Sequence, residues 1–394
     1  MLKEIRKGNT MTGPKAGKIL LIAVVLILTL ANAYAYPPDN AAVLYYKAAA
    51  LYGVDEDMQS MLDDLQKGII EINDQIRDYI NANRMVIHAV LDAAEVKNCD
   101  WGLDFSQGYA IEMPHLQSCR RLARLIAADV KIQAAGGNYE TAISRCMSLH
   151  RMSRHVNDRI YIQYLVAIAI DALANDCLTQ IISEMPQDTQ SMTRLKDQLI
   201  EIDSIPLSIM PSILGERDIM LSAMALDKLP EIAKLCETCD PTETENALSL
   251  DEAAIERNRE YYMQQTADII DAVDLPYIEG HAALMELNKK LEEDVNSDPD
   301  LILVKIVEPA SAQILTLKTK FETHNNAIRT AIELYLIKAK IGRLPGTLPE
   351  GLPKDLFSGQ DFDYEKNSAG FILRCKAMNL DKNETYQYEF KIKK

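Results

Sequence analysis

The sequence predicts a mostly α fold: an exported helical bundle with a repeat-like helix hairpin, a long C-terminal helix and a small three-stranded antiparallel β tail. Three observations carry that reading. Apolar residues recur at helical spacing from about residue 41 to residue 342. A basic N-terminus precedes an uncharged apolar run. Past Gly342 the pattern changes to Pro/Gly-rich loop and then to strand-like alternation. With 394 residues the chain is long enough for a sizeable core, and it divides into 1–35, a helical domain over 36–306, and the long helix with its β tail over 307–394.

Residues 1–35 have the layout of a targeting segment. Lys3, Arg6, Lys7, Lys15 and Lys18 precede ILLIAVVLILTLANAYA, which closes on the small-x-small triplet Ala33-Tyr34-Ala35. A secretory signal peptide cleaved before Tyr36 is expected. The alternative is an uncleaved N-terminal anchor over residues 19–35, a run at the lower edge of what spans a bilayer. Either way the body is placed outside the cytoplasm, periplasmic, secreted or anchored to the membrane. The chain carries a formal charge of −16; residues 1–35 hold five Lys/Arg against one Glu, so the remainder carries −20. That excludes nucleic acid as a partner and leaves the N-terminal segment, if uncleaved, as the one contact with lipid.

The elements follow in order. Asp39 or Asn40 can cap a first helix, AAVLYYKAAALY, over 41–52, and one or two amphipathic helices fill 56–97, with Ile70, Ile72, Ile76, Tyr79, Ile80, Met85, Val86, Val90 and Leu91 recurring near helical spacing. Pro114 suits the first turn of a helix that runs to about Ala135. After Gly136-Gly137 comes a helix with Tyr139, Ala142, Ile143, Cys146 and His150 on one face. The apolar run IYIQYLVAIAI (160–170), followed by Asp171, reads as a buried core helix over 159–183, so that 115–183 folds up-down-up. Residues 187–300 are helical and more polar, with breaks at Pro206, Pro211, Pro230, Pro241 and Pro276, and CETCDPTETEN (236–246) reads as an exposed loop. Pro309 opens a long helix to Gly342 with a seam of Ile314, Leu317, Phe321, His324, Ile328, Ala331, Tyr335 and Ala339. Three strands then follow, FDYE, GFILRCKAM and TYQYEFKIK.

Three resemblances attach to these residues. GNYETAI (137–143) resembles the start of the second helix of a tetratricopeptide repeat, in a single copy that implies a hairpin within a bundle. TAIELYLIKAKIGRLPGTL with LPKDLFSGQDFDYEKNSAGFILRC resembles the end of a type II secretion major pseudopilin, over about seventy residues. It departs from that family because a pseudopilin's membrane helix and processing motif should begin the unit, whereas this helix is polar and lies at the far end of the chain. The family's calcium loop finds its nearest matches in Asp381, Asn383 and Glu384, which lack the Gly-rich setting and read as a polar turn. The whole layout is similar to a set of uncharacterised exported bacterial proteins sharing PPDN (37–40), CDWGLD (99–104), PHL (114–116) and LPKDLFSG (352–359); that likeness implies organisation and no activity.

The segment with the most chemistry is the loop CDWGLDFSQGYAIEMPH (99–115), which holds the chain's only Trp and three carboxylates. Asp100, Asp104 and His115 are the catalytic candidates, as an acid/base set. Trp101, Asp104, His115, Arg120 and Arg121 are the binding candidates, Trp101 as an exposed anchor. The architectural alternative has Asp104 capping a turn, Trp101, Phe105 and Tyr109 plugging the end of the bundle, and the two Arg neutralising the carboxylates. Cys236 and Cys239 are the disulfide candidates among seven Cys, with structural thiols, a redox pair or a metal pair as the other readings; no further ligand spacing completes a metal site. His150 is expected in the core and His155 toward solvent. With no HExxH, phosphate-cradling loop or GxSxG present, the expected function is a non-catalytic protein-binding or assembly module of the cell envelope, with a protein partner and no cofactor or metal. The alternative is a hydrolase-like enzyme with its acid/base site in the 99–121 loop.

Overall fold

The computed structural model describes residues 39–234, 241–307 and 310–392; the targeting segment, Cys236, Cys239, Pro309 and the Tyr109 side chain lie outside the described residues. The fold is mostly helical with a small C-terminal antiparallel sheet, as the periodicity predicts.

Local chemistry sets the helix starts. Asn40, Asp55, Asn73, Asp188 and Asp251 each accept a backbone N–H of the first turn of α1 (Ala41–Leu51), α2 (Glu56–Gln66), α3 (Asp74–Ala82), α8 (Thr189–Asp203) and α12 (Glu252–Val273). Residues 56–97 hold three helices where one or two were expected, the third being α4 (Arg84–Ala94). Gly68, at φ +71°, ends α2, so Ile70 and Ile72 fall in the connection and Met85 faces solvent. All five prolines expected as breaks lie where helices are interrupted, and four of them also mark the start of the next helix. Pro211 and Pro230 sit in the first turns of α9 (Met210–Ala223) and α10 (Leu229–Ala233), Pro241 opens α11 (Pro241–Ser249), and Pro276 precedes α13 (Tyr277–Ser297). The loop expected over 236–246 is therefore corrected from Pro241 onward, where the helix buries Ala247.

The centre is the up-down-up unit of α5 (Pro114–Ala135), α6 (Tyr139–Val156) and α7 (Tyr161–Glu184), each packed on the other two. Among the described residues α7 is the one helix long and apolar enough to cross a membrane. It also packs against α8's neighbour in space, the long α15 (Ser311–Ile341), and against the sheet. α1 to α4 cover α5 and α6. Residues 220–234 and 241–307, including α14 (Ile302–Val307), close around a second, smaller core centred on Met224, Ile232, Leu303 and Val304. The seam expected on α15 is broader and shorter than predicted: Ile314, Phe321, Ile328, Ala331 and Tyr335 are buried, but Leu317 is 44% exposed and Ala339 faces solvent, because α15 meets α7, α8 and α13 on different sides.

The tail joins the main core. Strands β1 (Asp363–Lys366), β2 (Gly370–Arg374) and β3 (Gln387–Lys391) pair antiparallel in chain order. Phe371 faces Phe390 across the strands and stacks on it at 5.3 Å, with Tyr335 of α15 at 5.5 Å from Phe371. The end of β3 is tied down by hydrogen bonds from Tyr335 Oη and Gln187 Nε2 to the Lys391 carbonyl, at 2.6 and 2.8 Å. Asp381 meets His281 at 2.8 Å, and Glu384 accepts from Tyr386 at 2.6 Å, so both polar-turn residues bind side chains of the protein itself.

One buried charge cluster joins α6 to α7. Asp171, fully buried on α7, accepts from Ser153 at 2.8 Å, lies 2.8 Å from His150 Nδ1, and forms an ion pair with Arg154. Burial raises its carboxyl's pKa, but His150 and Arg154 overcome that and hold it at about 2. An ordinary aspartate titrates near 3.8. The contribution is therefore complete above about pH 4 and is lost as the pH falls through 2. Asp171→Asn is expected to cost about 3–5 kcal/mol at pH 7, since it leaves a buried cation without its counter-ion. Urea unfolding of parent and variant checks this, and the difference should narrow between about pH 4 and pH 2.

Candidate functional site

The 99–115 loop is held at both ends by sequence-distant partners. Asn40, the cap of α1, takes the Asp100 N–H on Oδ1 at 2.9 Å and gives its own Nδ2–H to the Asp100 carbonyl at 2.8 Å. Asn40 of PPDN and Asp100 of CDWGLD thus meet in space. Gly102 turns the chain at φ +68°, its N–H bound by the Asp100 carboxylate at 2.9 Å. Asp104 accepts from the Ser106 backbone and hydroxyl and from Gln107, which starts the 3₁₀ turn Phe105–Ala110 and lowers the Asp104 pKa. Arg159 lies over the Phe105 ring at 5.2 Å.

Trp101 is buried, which corrects the exposed anchor expected from its sequence setting. It is 6% exposed and stacks between His115, at 4.4 Å, and Tyr45, at 5.6 Å, with Tyr46 edge-on. Its indole N–H donates to the His155 carbonyl at 2.7 Å. The indole needs both an apolar enclosure and one acceptor, and the end of α6 supplies them.

Asp100, Asp104 and His115 do not assemble into an acid/base set. Both Asp side chains are exposed and spent on turn hydrogen bonds, whereas His115 is 1% exposed and neither ring nitrogen has a hydrogen-bond partner. Burial pushes the His115 imidazole down to about 4, so it is neutral at pH 7. Glu112 is exposed. Arg121 pairs with Glu56 of α2 at 2.6 Å, and Arg120 faces solvent one helical step away, so the expected neutralisation of the loop carboxylates by these two Arg is replaced by a helix–helix contact.

Beside the loop lies a cleft of about 640 Å³ that the residue pattern does not reveal. It forms where α4, α6 and α8 all end, so its walls come from residues 94–97, 151–158 and 201–205. Val96, Ile202 and Ile205 give an apolar wall, Ile205 being 55% exposed, and Trp101 and Cys99 form part of the floor. Glu95, Glu201 and Asp158 stand around it, and Arg151 bridges the first two at 2.6 and 3.5 Å. Burial raises the Asp158 pKa, with the charge of Asp100 adding to the effect. Burial also lifts the Cys99 thiol to about 12, so it is no thiolate at neutral pH.

His155 lines this cleft and is half-buried, correcting its expected exposure. Burial brings its pKa to about 4, and the neutral ring sits with Nδ1 3.1 Å from the Tyr45 hydroxyl and a hydrogen bond to the Val96 backbone. Its proton sites are taken up by structure. His150 is buried on Asp171, as expected of a core histidine.

No protein-family model, curated protein or solved structure matches the chain.

The unpartnered His115 ring carries a sign-definite consequence. Its pKa is lowered on folding, so as the pH drops from 6.5 to 4 the unfolded chain takes up the proton first and stability is lost; His155 and His324, also held near 4, act in the same direction. His115→Phe keeps the ring stack and removes two buried polar atoms without partners. It is expected to stabilise by about 1 kcal/mol at pH 7 and to flatten the slope between pH 6.5 and 4. Urea midpoints read from Trp101 fluorescence at several pH values check both parts.

Proposed function

We propose that the protein is a non-catalytic binding or assembly module of the cell envelope, and that its contact surface is the cleft beside the 99–115 loop. The observation that carries this reading is the convergence of three helix C-termini on one open cleft with an apolar wall and a charged rim, on which Glu95, Glu201 and Asp158 stand among Lys97, Arg151 and Arg154. Each such end carries a partial negative charge of about half an elementary unit. The formal charges of Glu95, Glu201 and Asp158 are offset by Lys97, Arg151 and Arg154, but Arg154 is spent on the buried Asp171, and the −20 carried by the chain beyond residue 35 works in the same direction as the helix ends.

The partner this chemistry selects is a protein segment presenting apolar and basic side chains together. Val96, Ile202 and Ile205 would take the apolar groups. A partner's Lys or Arg would compete with Arg151 for Glu95 and Glu201, both of which keep about two-thirds of their side-chain surface in water. The envelope setting rests on the basic, then apolar, composition of residues 1–35. A binding role is favoured over hydrolysis because His155 is engaged by Tyr45 and His115 is buried in the Trp101 stack, away from the cleft lining.

Trp101, the single Trp, lines the cleft and reports on its occupancy. Titrating the protein with a short Leu/Lys/Arg peptide is expected to give a saturable change in Trp101 emission that weakens with added salt, and a Leu/Glu peptide of equal length should give none. Ile205→Asp and Glu201→Lys change exposed residues and should weaken the response about tenfold, roughly 1.4 kcal/mol, without altering the circular dichroism. Equal responses to both peptides, or variants that bind as the parent does, would remove the cleft as the contact surface. Co-purification from native envelopes with the same variants then identifies the partner.

A further inference from the structure

Five cysteines fall within the described residues, and four of them are buried. Cys146 sits on α6 and Cys177 on α7, at 0% and 2% exposure. These antiparallel helices hold a register that the polar cluster displays directly, with His150 against Asp171 and Ser153 against the same carboxylate. One turn further along that seam, four residues before His150 and six after Asp171, the register brings position 146 opposite position 177. The two thiols are neighbours inside that seam, both buried and both free in this structure.

The other thiols are placed differently. Cys375 lies just past the end of β2, Cys99 lies in the loop before α5 and Cys119 on α5, so none of them shares the α6–α7 seam. We infer that Cys146 and Cys177 form a disulfide that staples α6 to α7 when the chain folds in the presence of a disulfide donor. In the reaction two S–H bonds are replaced by one S–S bond. The two electrons pass to the donor disulfide, which leaves as two thiols carrying the two protons. Burial raises the Cys146 pKa, so exchange belongs to the open chain, before α6 and α7 close over the pair. Formation in the cell rests on the export reading above; the pairing itself rests on the helix register alone. The staple would also fix α6, which carries Arg151, Arg154 and His155 into the cleft.

The test needs no variant to begin. Full-length protein, unfolded in guanidinium with dithiothreitol, is refolded in a glutathione redox buffer, alkylated, digested and mapped by mass. The expected product is a peptide pair linked through Cys146 and Cys177, 2 Da lighter than the two thiol peptides. The melting temperature of the oxidised protein should exceed that of the reduced protein by about 4 °C. The Cys146→Ala, Cys177→Ala protein should match the reduced parent and gain nothing from the same buffer. Complete alkylation of both residues in refolded protein with native circular dichroism overturns the pairing, as does linkage of either residue to any other cysteine. Protein isolated from cells with both thiols free, but forming the bond on refolding, upholds the pairing and counts against export instead.

Discussion

The structure depends on a carboxylate in the wrong place. Asp171 follows an apolar run in the centre of the molecule, where an isolated charge is untenable, and the fold resolves this by bringing three residues of α6 to it. Because His150, Ser153 and Arg154 lie within five positions of one another, satisfying Asp171 fixes both the rotation and the translation of α6 along α7. The Arg154 guanidinium also bonds the His150 and Ile205 carbonyls, which ties the end of α8 to the same point. A helix pair held by dispersion alone can slide by a turn at modest cost, but this pair cannot slide without stranding a charge.

The C-terminus of α6 then becomes the platform for the loop. The His155 carbonyl takes the indole N–H, and its imidazole takes the Tyr45 contact, so the loop and α1 are both referred to α6. Asn40 completes the connection by bracketing Asp100. A helical protein uses a Gly- and aromatic-bearing loop here because the end of a three-helix unit leaves a hole whose rim is backbone carbonyls. A large flat ring with one N–H fills such a hole better than a helix can. The carboxylates that suggested catalysis are the turn-forming residues which set that ring in place.

What was legible in the sequence follows from what is local. The helix start at Asn40, the up-down-up centre and the alternating strands are encoded within a few residues of where they act. What was not legible is long-range. Trp101 looks the same in sequence whether its ring meets solvent or Tyr45 and His115. Asp171 could be noted as the end of an apolar run, but nothing nearby announces that Arg154 and His150 lie against it. The prolines marked where the helices are interrupted, but a Pro can end one helix or begin the next, and flanking composition does not say which. The cleft is the extreme case, since its walls come from three separate helix ends and no one of them is unusual alone.

The same dependence is why the proposed contact surface lies beside the plug instead of on it. The ends of α6 and α8 are held by the cluster beneath them, and Arg151 ties Glu95 at the end of α4 to the same helix. Arg151 is the protein's own answer to the negative charge there, yet it bridges two carboxylates that remain largely in water. An exposed bridge of this kind is worth little to folding, about 0–1 kcal/mol. It is therefore exchangeable: a basic group from outside can replace it at small cost, while the apolar wall of Val96, Ile202 and Ile205 supplies what an ion pair in water does not. Rigidity below and a weak, replaceable contact above are the two conditions that let a surface bind without first having to reorganise.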